Sequence, residues 1–280
     1  MVSVELRPPR SRLSLREGMD VWIDLHHSIG QLARRDIPVF ITDNAVGSEE
    51  EENLTHLSYN LGREVGYERV VPFLTCKHSL DYCLMFARRA ASLGFPALTV
   101  LGGDASVGPP RCVAHAEELR ALIRSEVPEL TLGGWANPHR DAVEQAGLVA
   151  RDEYAAEFLL TQVVSHHSLR SVERLLEELH RQAPRVPPVF GVFYYRSANP
   201  RTLERLSEFF PVPVAELQRE FADGATADDV CARTIHALRA AGADKIYVSN
   251  LGFGRVHHKL DRILGAVGPP DGQRGPPPGQ

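Results

Sequence analysis

The chain has 280 residues, 43% of them hydrophobic, which is enough for one large core. Its formal net charge of −5 leaves no basic footprint for nucleic acid. No apolar run approaches the roughly 18 residues that span a bilayer, and MVSVELRPPRSR lacks a signal peptide's apolar core, so a soluble, cytoplasmic protein is expected.

In chain order, VSVEL (2–6) is the first expected strand and PVFIT (38–42) the second. The run EEEE (49–52) reads as the acidic first turn of a helix capped by Ser48, where carboxylates suit the helix dipole. VVPFLT (70–75) and ALTVLG (97–102) are strands followed by the amphipathic segments 79–94 and 114–127. LTLGGW (130–135) and EFLLTQVV (157–164) continue the series. In the segment 171–183, Val172, Leu175, Leu176 and Leu179 fall on one helical face. PVFGVFYY (188–195) precedes two helical segments, 201–221 and 226–241, the second capped by Thr226 or Asp228, before the last strand KIYVSN (245–250). Most of these strands are continuous apolar runs, as parallel strands covered on both faces require. Eight strands, each followed by a helix, predict a single-domain (β/α)8 TIM barrel over 1–267. The Pro/Gly-rich tail, 268–280, is too poor in apolar residues to build a core and is expected to be disordered.

Barrel active sites lie in the loops at the C-terminal ends of the strands. The polar residues predicted there are Glu5, Thr42, Asp43, Asn44, Thr75, Lys77, His78, Asp104, Asn137, His139, Thr161, Gln162, Arg196 and Asn250. Several are amides or hydroxyls, suited to a planar, hydrogen-bonding ligand such as a pterin or nicotinamide. Gly102-Gly103-Asp104 reads either as turn chemistry or as the floor of a pocket. Three His-His pairs occur, at 26–27, 166–167 and 257–258. Neighbouring helical side chains diverge by about 100°, so no metal site is expected of them. GFGR (252–255) reads as a simple loop. Cys76, Cys83, Cys112 and Cys231 show no CxxC spacing and read as reduced, mostly buried thiols.

Six stretches, in order, resemble the methylenetetrahydrofolate reductase family. VSVELRPPRS is similar to its opening Ser-Phe-Glu strand, VVPFLTCKH to its His-Leu-Thr-Cys strand and TVLGGD to its Leu-Arg-Gly-Asp strand. LGGWANPH resembles its Gly-Tyr-Pro-Glu-x-His loop, FLLTQVVS its Thr-Gln strand, and the segment from Pro187 its Pro-x-x-Gly-Ile-x-Pro strand. The resemblance implies reduction of 5,10-methylenetetrahydrofolate to 5-methyltetrahydrofolate, with NADH or NADPH as hydride donor. Glu5 takes the place of the general acid, Asp104 that of the acid beside pterin and redox ring, and Gln162 that of the pterin-binding amide. Thr161 and Tyr194 are assigned with Gln162 to the folate, and Thr42, Thr75, Gly103, Trp135 and His139 to the nicotinamide or flavin pocket. The family holds FAD through the His of its third strand, the Arg of its fourth and cations after its fifth. Here those places carry Phe73, Gly102 and a run (140–157) with Asp141, Glu144, Asp152, Glu153 and Glu157. Losing two or three charge-assisted bonds forfeits about 4–6 kcal/mol, so flavin-independent chemistry is expected. The other reading is a folate- or nucleotide-binding barrel without turnover.

Overall fold

The structure is a computed structural model that describes residues 1–9, 13–43, 67–104 and 108–267. Each expected apolar run is a strand in it: β1 (Val2–Leu6), β2 (Val39–Ile41), β3 (Val70–Thr75), β4 (Ala97–Leu101), β5 (Thr131–Ala136), β6 (Phe158–Val164), β7 (Pro188–Phe193) and β8 (Ile246–Ser249). Every strand pairs in parallel with the next, and β8 returns to β1 through Ser3 opposite Tyr247, closing the barrel. The chain is a single-domain (β/α)8 barrel. The helix expected at EEEE with its Ser48 cap, Asn44 and the tail 268–280 lie outside the described residues.

The two-residue period of a strand sorts its side chains between two cores. Outward residues such as Val4, Leu6, Leu74, Val100, Val192 and Val248 join one cluster with the helices. Inward residues Phe40, Phe73, Leu101, Leu160, Val189 and Tyr247 form a second cluster that fills the barrel's axis. Burying one such aliphatic or aromatic side chain is worth about 1.5–3 kcal/mol. The helices that cover the outer face are α1 (Leu15–Ala33), α2 (Leu80–Ser92), α3 (Ala116–Glu126), α4 (Ala142–Val149), α5 (Leu169–Gln182), α6 (Pro200–Ser207), α7 (Val214–Ala222), α8 (Ala227–Ala240) and α9 (Val256–Val267). On α5 the four apolar residues singled out from the sequence are all buried.

Helix starts follow their caps. The Ser79 hydroxyl accepts the Tyr82 N–H at the start of α2. Of the two candidates for α8, Thr226 is the cap: its hydroxyl accepts from Asp229 N, and Asp229 Oδ2 accepts the Thr226 N–H in return. The helical segment expected over 201–221 is instead two helices, α6 and α7, separated by 208–213. Pro211 and Pro213 explain the break, because proline has no N–H to continue the ladder. All four cysteines are free thiols, and burial pushes those of Cys76 and Cys231 up to about 12, so they stay protonated. Among the described residues, no helix is long and apolar enough to cross a membrane.

Candidate functional site

The inward positions nearest the C-terminal ends of β1, β2, β3 and β8 are Glu5, Thr42, Thr75 and Ser249, a polar rim above the apolar axis. Glu5 is set deep, between the aromatic filling and the open mouth, and keeps some solvent access. Desolvation raises its carboxyl above the ordinary carboxylate range, against the pull of Arg7 and of hydrogen bonds with Ser249 and Thr42. Such a group holds a proton to higher pH than a surface glutamate.

Beside this rim, β2 and β3 bring together two residues that lie 35 apart in sequence. His78 Nε2 stands 3.1 and 3.0 Å from the two oxygens of Asp43, and Asp43 Oδ2 also accepts the Thr75 N–H at 2.7 Å. Sequence reading placed both at strand ends without pairing them, since their contact depends on the register of β2 against β3 (Ile41 opposite Pro72). With a proton on Nε2, the imidazole donates to the carboxylate, which holds the ring in place at the rim.

After β4 the chain makes a turn whose geometry needs glycine. Gly103 has φ +72, and a Cβ there would stand 2.8 Å from Lys77 Cγ. The carbonyl of Gly103 accepts from Arg111 Nη2, and Lys77 Nζ donates to Pro109 O at 2.9 Å. Residue 102 supplies no side chain, yet the Arg111 guanidinium lies 3.0 Å from where its Cβ would be. A cation therefore stands beside Gly102 after all, reached from nine residues downstream. Asp104 closes this stretch, half-buried at the edge of the described residues. Turn and mouth coincide here, so the two readings of Gly102-Gly103-Asp104 are not exclusive.

On the opposite side, Trp135 packs against the inner cluster. His139 Nε2 donates to Val163 O at 2.9 Å, so the loop after β5 is latched to β6. The pairing of β6 with β7 slips between Leu160 and Val163, a bulge that re-aims Thr161 and Gln162. The bulge is held from within. Tyr247 donates its hydroxyl to Thr161 O at 2.7 Å, and Thr161 Oγ1 accepts the Gly191 N–H at 3.2 Å. Gly191 is required because a Cβ there would lie 2.5 Å from the Tyr247 hydroxyl. Gln162 Oε1 accepts the Val163 N–H at 2.9 Å, which leaves the NH2 end of that amide to meet a ligand acceptor.

Tyr194 does not join the others. On β7, Val189 faces inward, and the same parity carries Gly191 and Phe193; Tyr194 falls on the outward set and packs in the outer cluster. Its hydroxyl donates to Asp228 Oδ1 on α8 at 2.7 Å, so its assignment to the folate is corrected. A count of parity from Val189 would have found this.

The rings of His166 and His167 do not diverge as helical neighbours would. They sit in a 3-10 turn with centroids 4.0 Å apart, and both Nε2 atoms meet Glu220 Oε1, at 3.0 and 2.7 Å. His257 and His258 on α9 also lie close, with centroids 4.1 Å apart.

No protein-family model matches the chain, and no curated protein does. Among solved structures, it is similar to a Clostridium thermocellum protein that binds two copies of 5-methyl-5,6,7,8-tetrahydrofolic acid. The identity is 15%, the TM-score 0.68, and the match covers 95% of this chain and 93% of that one. It also resembles the aldolase QR15 (13% identity, TM-score 0.49, covering 94% and 95%) and a mandelate oxidase variant (13%, 0.48, covering 95% and 67%). At these identities the likeness is one of fold.

Proposed function

We propose that the chain binds a reduced folate in the barrel mouth and reduces its one-carbon bridge, turning 5,10-methylenetetrahydrofolate into 5-methyltetrahydrofolate. The observation that carries this reading is Glu5, a desolvated carboxyl with a raised pKa at the barrel mouth, in the position that the family resemblance gives to the acid opening the folate's bridging ring. Glu5 gives its proton to N10, the N10–methylene bond breaks, and the electron pair stays on N10. The resulting N5 iminium takes hydride from C4 of NADH or NADPH, which leaves as the oxidised nicotinamide. Solvent returns the proton to Glu5. Asp104, as a carboxylate, favours the cationic iminium, and the Gln162 amide donates to the pterin. The same fold in a protein that binds 5-methyltetrahydrofolate supports the choice of ligand.

The residues do not fit FAD in the family's manner. Phe73 is buried in the apolar inner cluster, where it offers no hydrogen bond, and α4 begins with Asp141 and Glu144 rather than cations. Arg111 restores one cation beside Gly102, but its guanidinium already serves the carbonyls of Gly103 and Ala114. On this reading hydride would pass directly from nicotinamide to folate, with both bound in the mouth.

A second reading has its own support, since the folate-binding likeness carries no turnover with it: a barrel that binds folate without reducing it. One experiment separates the two. Purified protein is tested for saturable quenching of tryptophan fluorescence by 5-methyltetrahydrofolate, and for NADH or NADPH oxidation with 5,10-methylenetetrahydrofolate. Binding with oxidation, through a ternary complex and without a yellow chromophore, supports the reductase. Binding alone leaves the carrier, and activity that appears only with added FAD overturns the flavin-independent step.

A further inference from the structure

Apart from the mouth, one cluster joins three elements: the 3-10 turn after β6, the end of α7 and the middle of α8. We propose that His166, His167 and Glu220 bind a divalent transition metal of the zinc class. The donors are the two Nε2 atoms and Glu220 Oε1, with the remaining position open to water.

Hydrogen-bond accounting leads there. The Thr234 hydroxyl donates to Val230 O at 3.1 Å, so toward His166 Nδ1, 2.8 Å away, it acts as acceptor. With the proton on Nδ1, a neutral His166 turns the lone pair of Nε2 toward Glu220 Oε1, 3.0 Å away. His167 Nε2 converges on the same oxygen at 2.7 Å. The two rings lie 4.0 Å apart and aim both nitrogens at one carboxylate oxygen, so a cation placed between the three donors would take one lone pair from each.

The surroundings suit a metal. A ligating histidine ordinarily donates its other ring N–H to an oxygen acceptor, the part Thr234 plays for His166. Arg233 Nη1 holds Glu220 Oε2 at 2.6 Å, leaving Oε1 as a single directed donor. The three donor atoms all lie within 4.8 Å of one another. Tetrahedral zinc, with bonds of about 2.0–2.1 Å, separates its ligands by about 3.3 Å. Against that spacing the two nitrogen–oxygen contacts, at 3.0 and 2.7 Å, need open by only about 0.3 and 0.6 Å. Two imidazoles and one carboxylate prefer zinc, cobalt or nickel over magnesium or calcium, which seek oxygen. His167 keeps solvent access, with its side chain 25% exposed, so water reaches the fourth position.

The test uses the full chain, stripped with chelator, then titrated with Co2+ and with Zn2+ against a chromophoric competitor. One equivalent of Zn2+ is expected to bind, raising the melting temperature, and Co2+ should give the intense visible bands of a four-coordinate site. His167→Ala and Glu220→Gln should each weaken binding tenfold or more. Thr234→Val, which frees Nδ1, should weaken it about 10–100-fold. The double change of His257 and His258 to Ala should leave the stoichiometry intact. His167 is the informative position, because its ring meets Glu220 and His166 at the surface, outside the buried core. Zn2+ uptake no tighter in the wild type than in His167→Ala, or cobalt bands that survive that change, would overturn the proposal.

Discussion

Replacing Tyr247 by Phe removes one oxygen atom from the centre of the barrel and leaves the ring in the hollow beside Gly191. The lost contact is the 2.7 Å hydrogen bond to Thr161 O, at a tyrosine that is 2% exposed. The gap is on the order of one oxygen atom, too cramped for a water with its own 2–4 partners. The Thr161 carbonyl therefore loses a donor that nothing replaces, at a cost of about 1–3 kcal/mol. A chain of this size shifts its melting temperature by about 2–4 °C per kcal/mol, so a fall of about 2–12 °C is expected. Urea unfolding read by tryptophan fluorescence should show a lower midpoint with an unchanged slope. Because the same bond pins the bulge that aims Gln162, affinity for 5-methyltetrahydrofolate should fall as well. Thr226→Ala, a distant cap loss of about 1 kcal/mol, supplies the comparison: it should destabilise without weakening the ligand. Stability of Tyr247→Phe within about 0.3 kcal/mol of wild type, below even a modest hydrogen bond, refutes the accounting.

Two further expectations concern the carboxyls of the mouth. Glu5→Gln should keep folate affinity and lower turnover by about 10²–10⁴-fold, the usual worth of a general acid. Since the folded pKa of Glu5 lies above its unfolded value, its contribution to stability is present in acid and lost as pH rises through the folded value. Wild type should therefore lose stability relative to Glu5→Gln across that rise, and its turnover should fall there too; a flat difference between the two removes Glu5 from the role. Asp104→Asn keeps the turn's hydrogen-bonding shape and removes the charge, so a clear loss of NADH oxidation is expected. Unchanged activity would return Asp104 to turn chemistry.

The barrel was legible because both faces of each strand are covered. Continuous apolar runs such as ALTVL and VVPFLT admit few other structures, and the cap at Thr226 could be read from its Thr-x-x-Asp spacing. The α6–α7 break was legible too, in Pro211 and Pro213, but helical periodicity across 201–221 masked it. Inward positions set by one strand's parity, such as Glu5, Thr42 and Thr75, can be placed from sequence. Those made by tertiary contact could not. The Asp43–His78 pair depends on strand register, and the meeting of Glu220 with His166 and His167 depends on how a long connection folds back over β6. Tyr194 is the opposite case: the resemblance groups it with Gln162, while strand parity sends its ring to the helices.

The guanidinium beside Gly102 has a historical corollary. An arginine needed at one place in space can be supplied from position 102 or from position 111, but the two side chains compete for the same room. An alanine at 102 would ask Arg111 to yield only a few tenths of an ångström, whereas any long side chain would evict it. Substitutions at these two positions are therefore sterically coupled, each limiting what the other can be. Homologues should sort into two lineages, one with the cation in the strand and one with it in the loop, with few chains carrying both. In such a set, position 102 is to be read together with position 111 rather than column by column.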